Sequence, residues 1–530
     1  MSVPSERLDF VLKRRPTNTR ELVNETASKE LIFAVVGPIG SGTTDIAKQL
    51  VQLAKDSLKT PHVVHMKASD VIGRTIGIRS LEGLNALERA QRLQDAGDEL
   101  REGDEPAVGS LLVAEIRAKR KEFGSEDKAP GIVDVSKLHP GRKDDHYKIY
   151  VIDSLKHPAE VELLRSVYRE AFCLVGVVCE EATREKRLQN GKCSASSLVD
   201  IRELMKRDED ASQSWGQKVT KTFHMSDFFI DNTPDRFLAD GKENPAWTVS
   251  DRLGRLLDIL RGEKIVRPMP SETGMFHAAG AQYRSACLSR QVGAALTDVK
   301  GNLIATGTNE VPKSGGGVYG GDFESESGGN VADHRCAVTN KYCSNTRVQG
   351  EIMDEVINSI DELKNAADKE KIKQALKNTS LGRLLEFSRA VHAEMDAILS
   401  ATRKGASTVG AKLFVTTFPC HYCARHIVSA GIDEVQYIEP YPKSRAFSLH
   451  GDSIDKVFSH WHKKPPERPE KVLFRPFSGV SPRLYVRAFL KNRDLKNKAG
   501  DLEVGIPMWA PGLLQKSYTE LERLLDGNDS

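Results

Sequence analysis

His392, Glu394, Cys420 and Cys423 are the residues of this chain best suited to do chemistry. They stand in two short patterns, His392-Ala393-Glu394 and Pro419-Cys420-His421-Tyr422-Cys423. One imidazole and two thiolates fill three of zinc's four tetrahedral positions and leave one for water. Zinc acidifies such a water, so a nucleophile exists near neutral pH. Glu394 is not needed as a ligand and is left to carry a proton between that water and a leaving group. The chemistry is metal-assisted hydrolysis. A Cys-x-x-Cys also serves as a structural zinc knuckle or a redox pair. Structural zinc takes four protein ligands, however, and here three stand in motif with a carboxylate beside them.

Particular elements must bring these groups together. Residues two apart do not share a helix face, so His392 and Glu394 serve one water only where a helix end points at the site. Leu384, Leu385, Ala390, Val391, Ile398 and Leu399 have the spacing of a helix over Arg383–Lys404. Cys420 and Cys423 are one helical turn apart and follow the apolar, β-branched run Ala411–Phe418, which reads as a buried strand. Pro419 suits a helix start, and a helix N-terminus favours the thiolate form.

The pattern H-x-E…P-C-x-x-C is the signature of the zinc deaminases of nucleobases, in which the glutamate is the general acid and base. Ser289-Arg290-Gln291-Val292-Gly293-Ala294-Ala295 and Gly307-Thr308-Asn309-Glu310-Val311-Pro312 precede it. With these motifs, residues 271–480 resemble the dCMP-deaminase-type family. The resemblance implies a cytidine deaminase-like α/β/α domain with a mixed five-stranded sheet, and a substrate sugar beside Asn309. Read locally, Asn309 is equally a turn residue ahead of Val311-Pro312. Substrate phosphates need cations, and the loop bearing Lys443 and Arg445 is the first candidate. His334, Cys336 and Cys343 form a further cluster, and some members of the family carry a second metal in this region; a fourth ligand is not evident here.

The chain's 530 residues exceed one ordinary core. Its 77 basic and 74 acidic residues nearly cancel, and aromatics are 6%, so neither a polyanion field nor stacking platforms stand out. This speaks against a polynucleotide cytosine deaminase, the reading from a different substrate class. The eight cysteines lack a disulfide framework, and Met1–Arg20 lacks an apolar signal core. No apolar stretch reaches membrane-spanning length. The expectation is a cytoplasmic protein.

A second site lies in the first half. Glu30–Val36 runs into Gly37-Pro38-Ile39-Gly40-Ser41-Gly42-Thr43-Thr44, and Asp45–Leu58 continues as an amphipathic helix. Strand, glycine loop and helix are what a phosphate-binding loop requires. Thr43 stands in the lysine position, which points to nucleotide binding for regulation more than to phosphoryl transfer. Thr44 remains to bind Mg²⁺, and Asp153 ends a strand as a Walker-B acid does. Alternating strands and helices over 29–262 predict a largely parallel sheet. The segment resembles P-loop kinases of the nucleoside-monophosphate and deoxynucleotide type. Residues 1–28 read as an arm and 481–530 as a C-terminal extension.

Together, a P-loop NTPase-like domain without its lysine ahead of a dCMP-type deaminase domain resembles the bacterial anti-phage dCTP deaminases. That resemblance implies zinc-dependent deamination of free dCTP, with dCMP, to deoxyuridine nucleotides. It further implies draining of the dCTP pool during infection, a homo-oligomer, and control by a nucleotide or an inhibitor. A housekeeping dCMP deaminase or a bifunctional deoxynucleotide kinase–deaminase are the alternatives.

Overall fold

The computed structural model describes residues 30–77, 81–123, 147–191, 193–194, 196–209, 213, 215–262, 264–320, 335–337, 341–441, 444–461, 463–491, 496 and 499–501. The strands are β1 (Glu30–Val36), β2 (Val63–Lys67), β3 (Lys148–Asp153), β4 (Phe172–Val178), β5 (Phe228–Asp231), β6 (Gly293–Thr297), β7 (Leu303–Thr308), β8 (Lys412–Thr417), β9 (Glu434–Glu439), β10 (Ile454–Asp455), β11 (Val472–Pro476) and β12 (Gly479–Val480). Helices α1 (Thr43–Leu58), α2 (Ala68–Ile76), α3 (Ala86–Gly103), α4 (Ala107–Glu122), α5 (Pro158–Tyr168), α6 (Glu181–Asn190), α7 (Leu198–Glu209), α8 (Val219–His224) and α9 (Val249–Arg261) lie in the first half. They are followed by α10 (Pro270–Gln282), α11 (Ser344–Ser359), α12 (Asp361–Lys364), α13 (Lys369–Lys377), α14 (Ala393–Arg403), α15 (His421–Ser429), α16 (Ala446–Leu449) and α17 (Pro482–Phe489). Two compact units result: Met1–Arg267 with Ser478–Ser530, and Pro268–Phe477.

The first unit's sheet has the order β12-β5-β4-β1-β3-β2. β1 to β5 pair in parallel, and β12 alone runs antiparallel, on β5. β1 and β4 are apolar almost throughout and wholly buried, as strands covered on both faces must be. Leu31, Phe33 and Val35 pack with Ile46 and Leu50 of α1 and Leu253 and Leu257 of α9. Ile32, Ala34 and Val36 face the other way, onto Leu112 and Val113 of α4 and Val161 and Leu164 of α5. β1 lies between β3 and β4, so the chain's crossovers leave it in opposite directions. Ligands of such open sheets bind off the strand C-termini at that reversal. The glycine loop occupies that position.

The second unit's sheet is mixed, with the order β10-β11-β9-β8-β6-β7. It has six strands where the family resemblance implies five, the sixth being the two-residue edge strand β10. α10 covers one face and α14 the other, and two glycines permit this. A Cβ on Gly274 of α10 would lie 2.4 Å from Phe414. One on Gly307 of β7 would lie 2.1 Å from the Ala393 carbonyl oxygen and 2.3 Å from the Ala397 nitrogen. Backbone cannot yield as a side-chain tip can, so Gly307→Ala is expected to push α14 outward. Overpacking of this kind costs about 1–3 kcal/mol. Denaturant titration of the variant, with bound zinc counted alongside, checks both effects.

One helix differs from its sequence expectation. α14 begins at Ala393, not Arg383, because Val391 is held extended by two backbone hydrogen bonds with Glu310, 2.9 and 3.2 Å. The Leu384 carbonyl meanwhile accepts from Asn345 and Gln349 of α11. The charged stretch 351–377 falls in three helices, and the last restarts where the Asp368 carboxylate caps the Lys371 N–H. α10 starts with Pro270 at its first position, where a missing N–H costs nothing. The second unit ends at Phe477, three residues before the expected boundary at 480, and β12 joins the first sheet. Among the described residues no helix is long and apolar enough to cross a membrane.

Candidate active site

Two helix N-termini supply the site. His392 is the N-cap residue of α14, and Glu394 lies in its first turn. Cys420 is the N-cap residue of α15 and Cys423 lies in its first turn, after β8 has delivered the chain through Phe418-Pro419. Both sulfurs stand 3.3 Å from His392 Nδ1, and the three donors lie within 4.8 Å of one another. Among the described residues no other such His, Cys, Asp or Glu grouping occurs. Tetrahedral zinc at ordinary bond lengths separates a nitrogen and a sulfur ligand by about 3.6 Å. The donor set and its spacing therefore fit zinc, and the carboxylate is left over. Zinc bound by His392, Cys420 and Cys423 would supply an acidified water to the substrate.

The electrostatics fit a thiolate ligand and a proton carrier. A hydrogen bond from Cys423, with further help from His392, pulls the Cys420 thiol down to about 4. It is a thiolate at neutral pH, the form a metal takes. Burial pushes the Glu394 carboxyl up to about 7, and the residue is only 4% exposed. A carboxyl poised there both accepts and returns a proton at physiological pH.

Neighbouring residues hold the frame. The Glu310 bridge to Val391 ties the approach to His392 onto the end of β7. The Glu310 carboxylate itself accepts the Ala286 N–H at 2.6 Å and the Val311 N–H at 2.8 Å. Asp396 accepts the Thr308 N–H at 3.1 Å, joining α14 to β7. Glu310 lies within the Gly307–Pro312 motif and Asp396 lies in none; the fold alone brings the Ala286 N–H to the first and the Thr308 N–H to the second.

Residues 270–439 match the cytidine and deoxycytidylate deaminase zinc-binding region. The deoxycytidylate deaminase of Enterobacteria phage T4 is 30% identical over 161 residues, which are 30% of this chain and 73% of the phage protein. The chain belongs to the cytidine and deoxycytidylate deaminase family. ComE operon protein 2 of Bacillus subtilis (strain 168) is similar over a shorter stretch, 46% identical over 74 residues, 13% of this chain and 39% of that protein. The solved dCMP deaminase of cyanophage S-TIM5 in complex with dCMP and dUMP is 17% identical, with 40% of this chain and 99% of that chain covered and a TM-score of 0.22.

Around this deaminase site the other candidates fall differently. Asn309 is 7% exposed and its amide is spent on backbone, accepting the Val292 N–H at 2.7 Å and donating to the Arg290 carbonyl. It thus fixes the loop before β6. Arg445 donates to Ser380 Oγ at 3.2 Å near the surface. Arg290 pairs with Glu439 at 2.9 Å and lies over the Tyr441 ring. Lys443 and His334 lie outside the described residues. Cys336 and Cys343 are described, and Cys343 Sγ stands 3.3 Å from Ser289 Oγ.

In the first unit the glycine loop turns through Gly40 and Gly42, both at φ 84°, a backbone that side chains disfavour. Gly37 opens the turn, and Ser41 is wholly buried. Thr43 and Thr44 begin α1, whose first amides have no partner within the helix. Asp153, at the end of β3, accepts a hydrogen bond from Thr44 and lies 3.3 Å from His65 Nε2. Burial raises its pKa, but these two contacts outweigh burial and hold the carboxyl below the usual range. An ionised acid beside a threonine hydroxyl at a helix N-terminus is an arrangement that suits a phosphate-bound divalent cation.

Proposed function

We propose that this protein is a zinc-dependent deaminase of free deoxycytidine nucleotides, acting on dCTP and also on dCMP. The observation that carries this is the convergence of His392, Cys420 and Cys423 within 4.8 Å, with the buried Glu394 two residues from the histidine. Glu394 takes a proton from the attacking water and passes it to the ring nitrogen. The resulting hydroxide adds at C4; Glu394 then takes the proton of the new C4 hydroxyl and delivers it to the amino group, so that the C4–N bond breaks, ammonia leaves and a carbonyl forms at C4. The deoxyuridine nucleotide remains. Asn309, its amide committed to Val292 and Arg290, would act on the sugar only by shaping the loop beside it, and Lys443 and Arg445 would meet the phosphates. Near-zero net charge and 6% aromatics favour a free nucleotide over a polynucleotide.

The first unit would bind a nucleoside triphosphate with Mg²⁺ through Gly37, Gly40, Ser41, Gly42, Thr43, Thr44 and Asp153, and regulate deamination without transferring phosphate. The support is the glycine loop at the reversal of a parallel sheet, with no lysine in its expected place. Depletion of dCTP by a cytoplasmic homo-oligomer in defence against phage is the biological role this reading carries. The test is to incubate the protein with dCMP, dCTP and CTP, each with and without MgATP or MgGTP, and to separate the products. Deoxyuridine nucleotides with a rate that responds to the added triphosphate are expected. Equal turnover of CTP, or a rate indifferent to both triphosphates, would contradict the substrate or the regulatory half respectively.

A further inference from the structure

The glycine loop lacks its own lysine, yet a cation and an anion already meet there. Lys156, three residues beyond Asp153, places Nζ 3.4 Å from the Gly37 carbonyl oxygen and 2.8 Å from Asp208 Oδ1. The other carboxylate oxygen of Asp208 accepts the Ile39 N–H of the loop at 2.7 Å. Asp208 comes from the last turn of α7, 169 residues away in sequence, and is 1% exposed. Lys48, one turn along α1 and the nearer candidate by sequence, is exposed.

A loop amide and a lysine converging on one anionic oxygen pair are the contacts a phosphate takes from such a loop. Two further groups point to a missing ligand. Arg184 is 5% exposed and its Nε and Nη1 have no partner, while its backbone packs 2.9 Å from where a Gly40 Cβ would stand. Ser41 Oγ, in the loop itself, is buried and likewise without a partner. The third guanidinium nitrogen of Arg184 is held by Glu209, the residue after Asp208, at 2.8 Å. One helix end therefore presents two acids to the two cations nearest the loop.

We infer that Asp208 is an internal stand-in for phosphate that competes with a nucleoside triphosphate for the glycine loop, and that Lys156 is the site's phosphate-binding cation. The inference rests on the reading of that loop as a nucleotide site. Phosphate binding breaks the Asp208–Ile39 hydrogen bond, Lys156 exchanges a carboxylate for phosphate, and the end of α7 is released. Such a site reports triphosphate as movement of α7, which is how a loop without its own lysine serves sensing.

The test uses the full chain with MgATP and, separately, inorganic tripolyphosphate with Mg²⁺, in calorimetric titrations. Asp208→Asn keeps the shape and removes the competing charge, so affinity is expected to rise about tenfold, equal to about 1.4 kcal/mol. Lys156→Met is expected to lower it by a similar factor. A merely structural ion pair would make both variants bind the same or worse. In the wild-type chain, hydrogen exchange at residues 205–209 is expected to quicken on adding MgATP, which needs no variant to fold. Wild-type binding with no gain in Asp208→Asn and no change at 205–209 would overturn the inference and leave the nucleotide site standing. No binding by either the wild type or Asp208→Asn would overturn both.

Discussion

Glu394→Gln is expected to lower deamination about 10⁴-fold while leaving one zinc per chain. General acid–base groups contribute about 10²–10⁴-fold, and the upper end applies because the proposed cycle routes every proton transfer through one carboxylate. Four powers of ten correspond to about 5.5 kcal/mol of transition-state stabilisation. Glutamine has the same shape, and the three metal donors are separate residues, so metal content measured by atomic absorption should not change. Stability should not fall. Burial pushes the Glu394 carboxyl up to about 7, which means that holding its charge inside the unit works against folding. A neutral amide relieves that cost, so the variant is expected to melt no lower than the wild type. An inactive variant that is more robust than the parent is the signature of a residue retained for chemistry.

Cys423→Ser is expected to act in the opposite sense on both readouts. It removes one soft ligand and keeps most of the volume. Loss of an outer partner of a metal ligand costs about 10–100-fold in affinity, so loss of a ligand should exceed about 100-fold. Cys423 is 1% exposed and belongs to the apolar cluster that includes Ala393, Leu413, Val415 and Ile427. Metal binding by such a site is coupled to folding. The melting temperature should therefore fall and cease to respond to added zinc, and turnover should vanish with the metal. The two variants together separate the proton carrier from the metal cage: one loses activity with zinc, the other loses both.

The grouping of His392, Cys420 and Cys423 was legible in the sequence because these residues are spaced by local geometry. Cys420 and Cys423 stand one turn apart, and His392 lies directly before a helix start. The parallel strands of the first sheet were legible for a related reason, since runs such as Glu30–Val36 are apolar enough to be buried on both faces, whereas β12 was not. The true start of α14 was hidden because it depends on a backbone bridge between Glu310 and Val391, 81 residues apart. Helical spacing upstream of His392 was real, but a tertiary partner took the hydrogen bonds. Glu310, Asp396 and Gly307 share that character. Each acts on backbone brought to it by the sheet. Lys156 and Asp208 were hidden in the same way, since the first lies beyond a strand end and the second on a distant helix, and only the fold sets both against the glycine loop.

The central claim is that His392, Glu394, Cys420 and Cys423 deaminate a free deoxycytidine nucleotide. Ammonia release by the zinc-loaded protein tests it most directly, with dCTP in one vessel and a cytosine-containing single-stranded oligodeoxynucleotide in another. Ammonia equal to the dUTP formed, from dCTP alone, is the expected result. Release from the oligonucleotide but not from dCTP, or from neither by folded and zinc-loaded protein, would contradict the account.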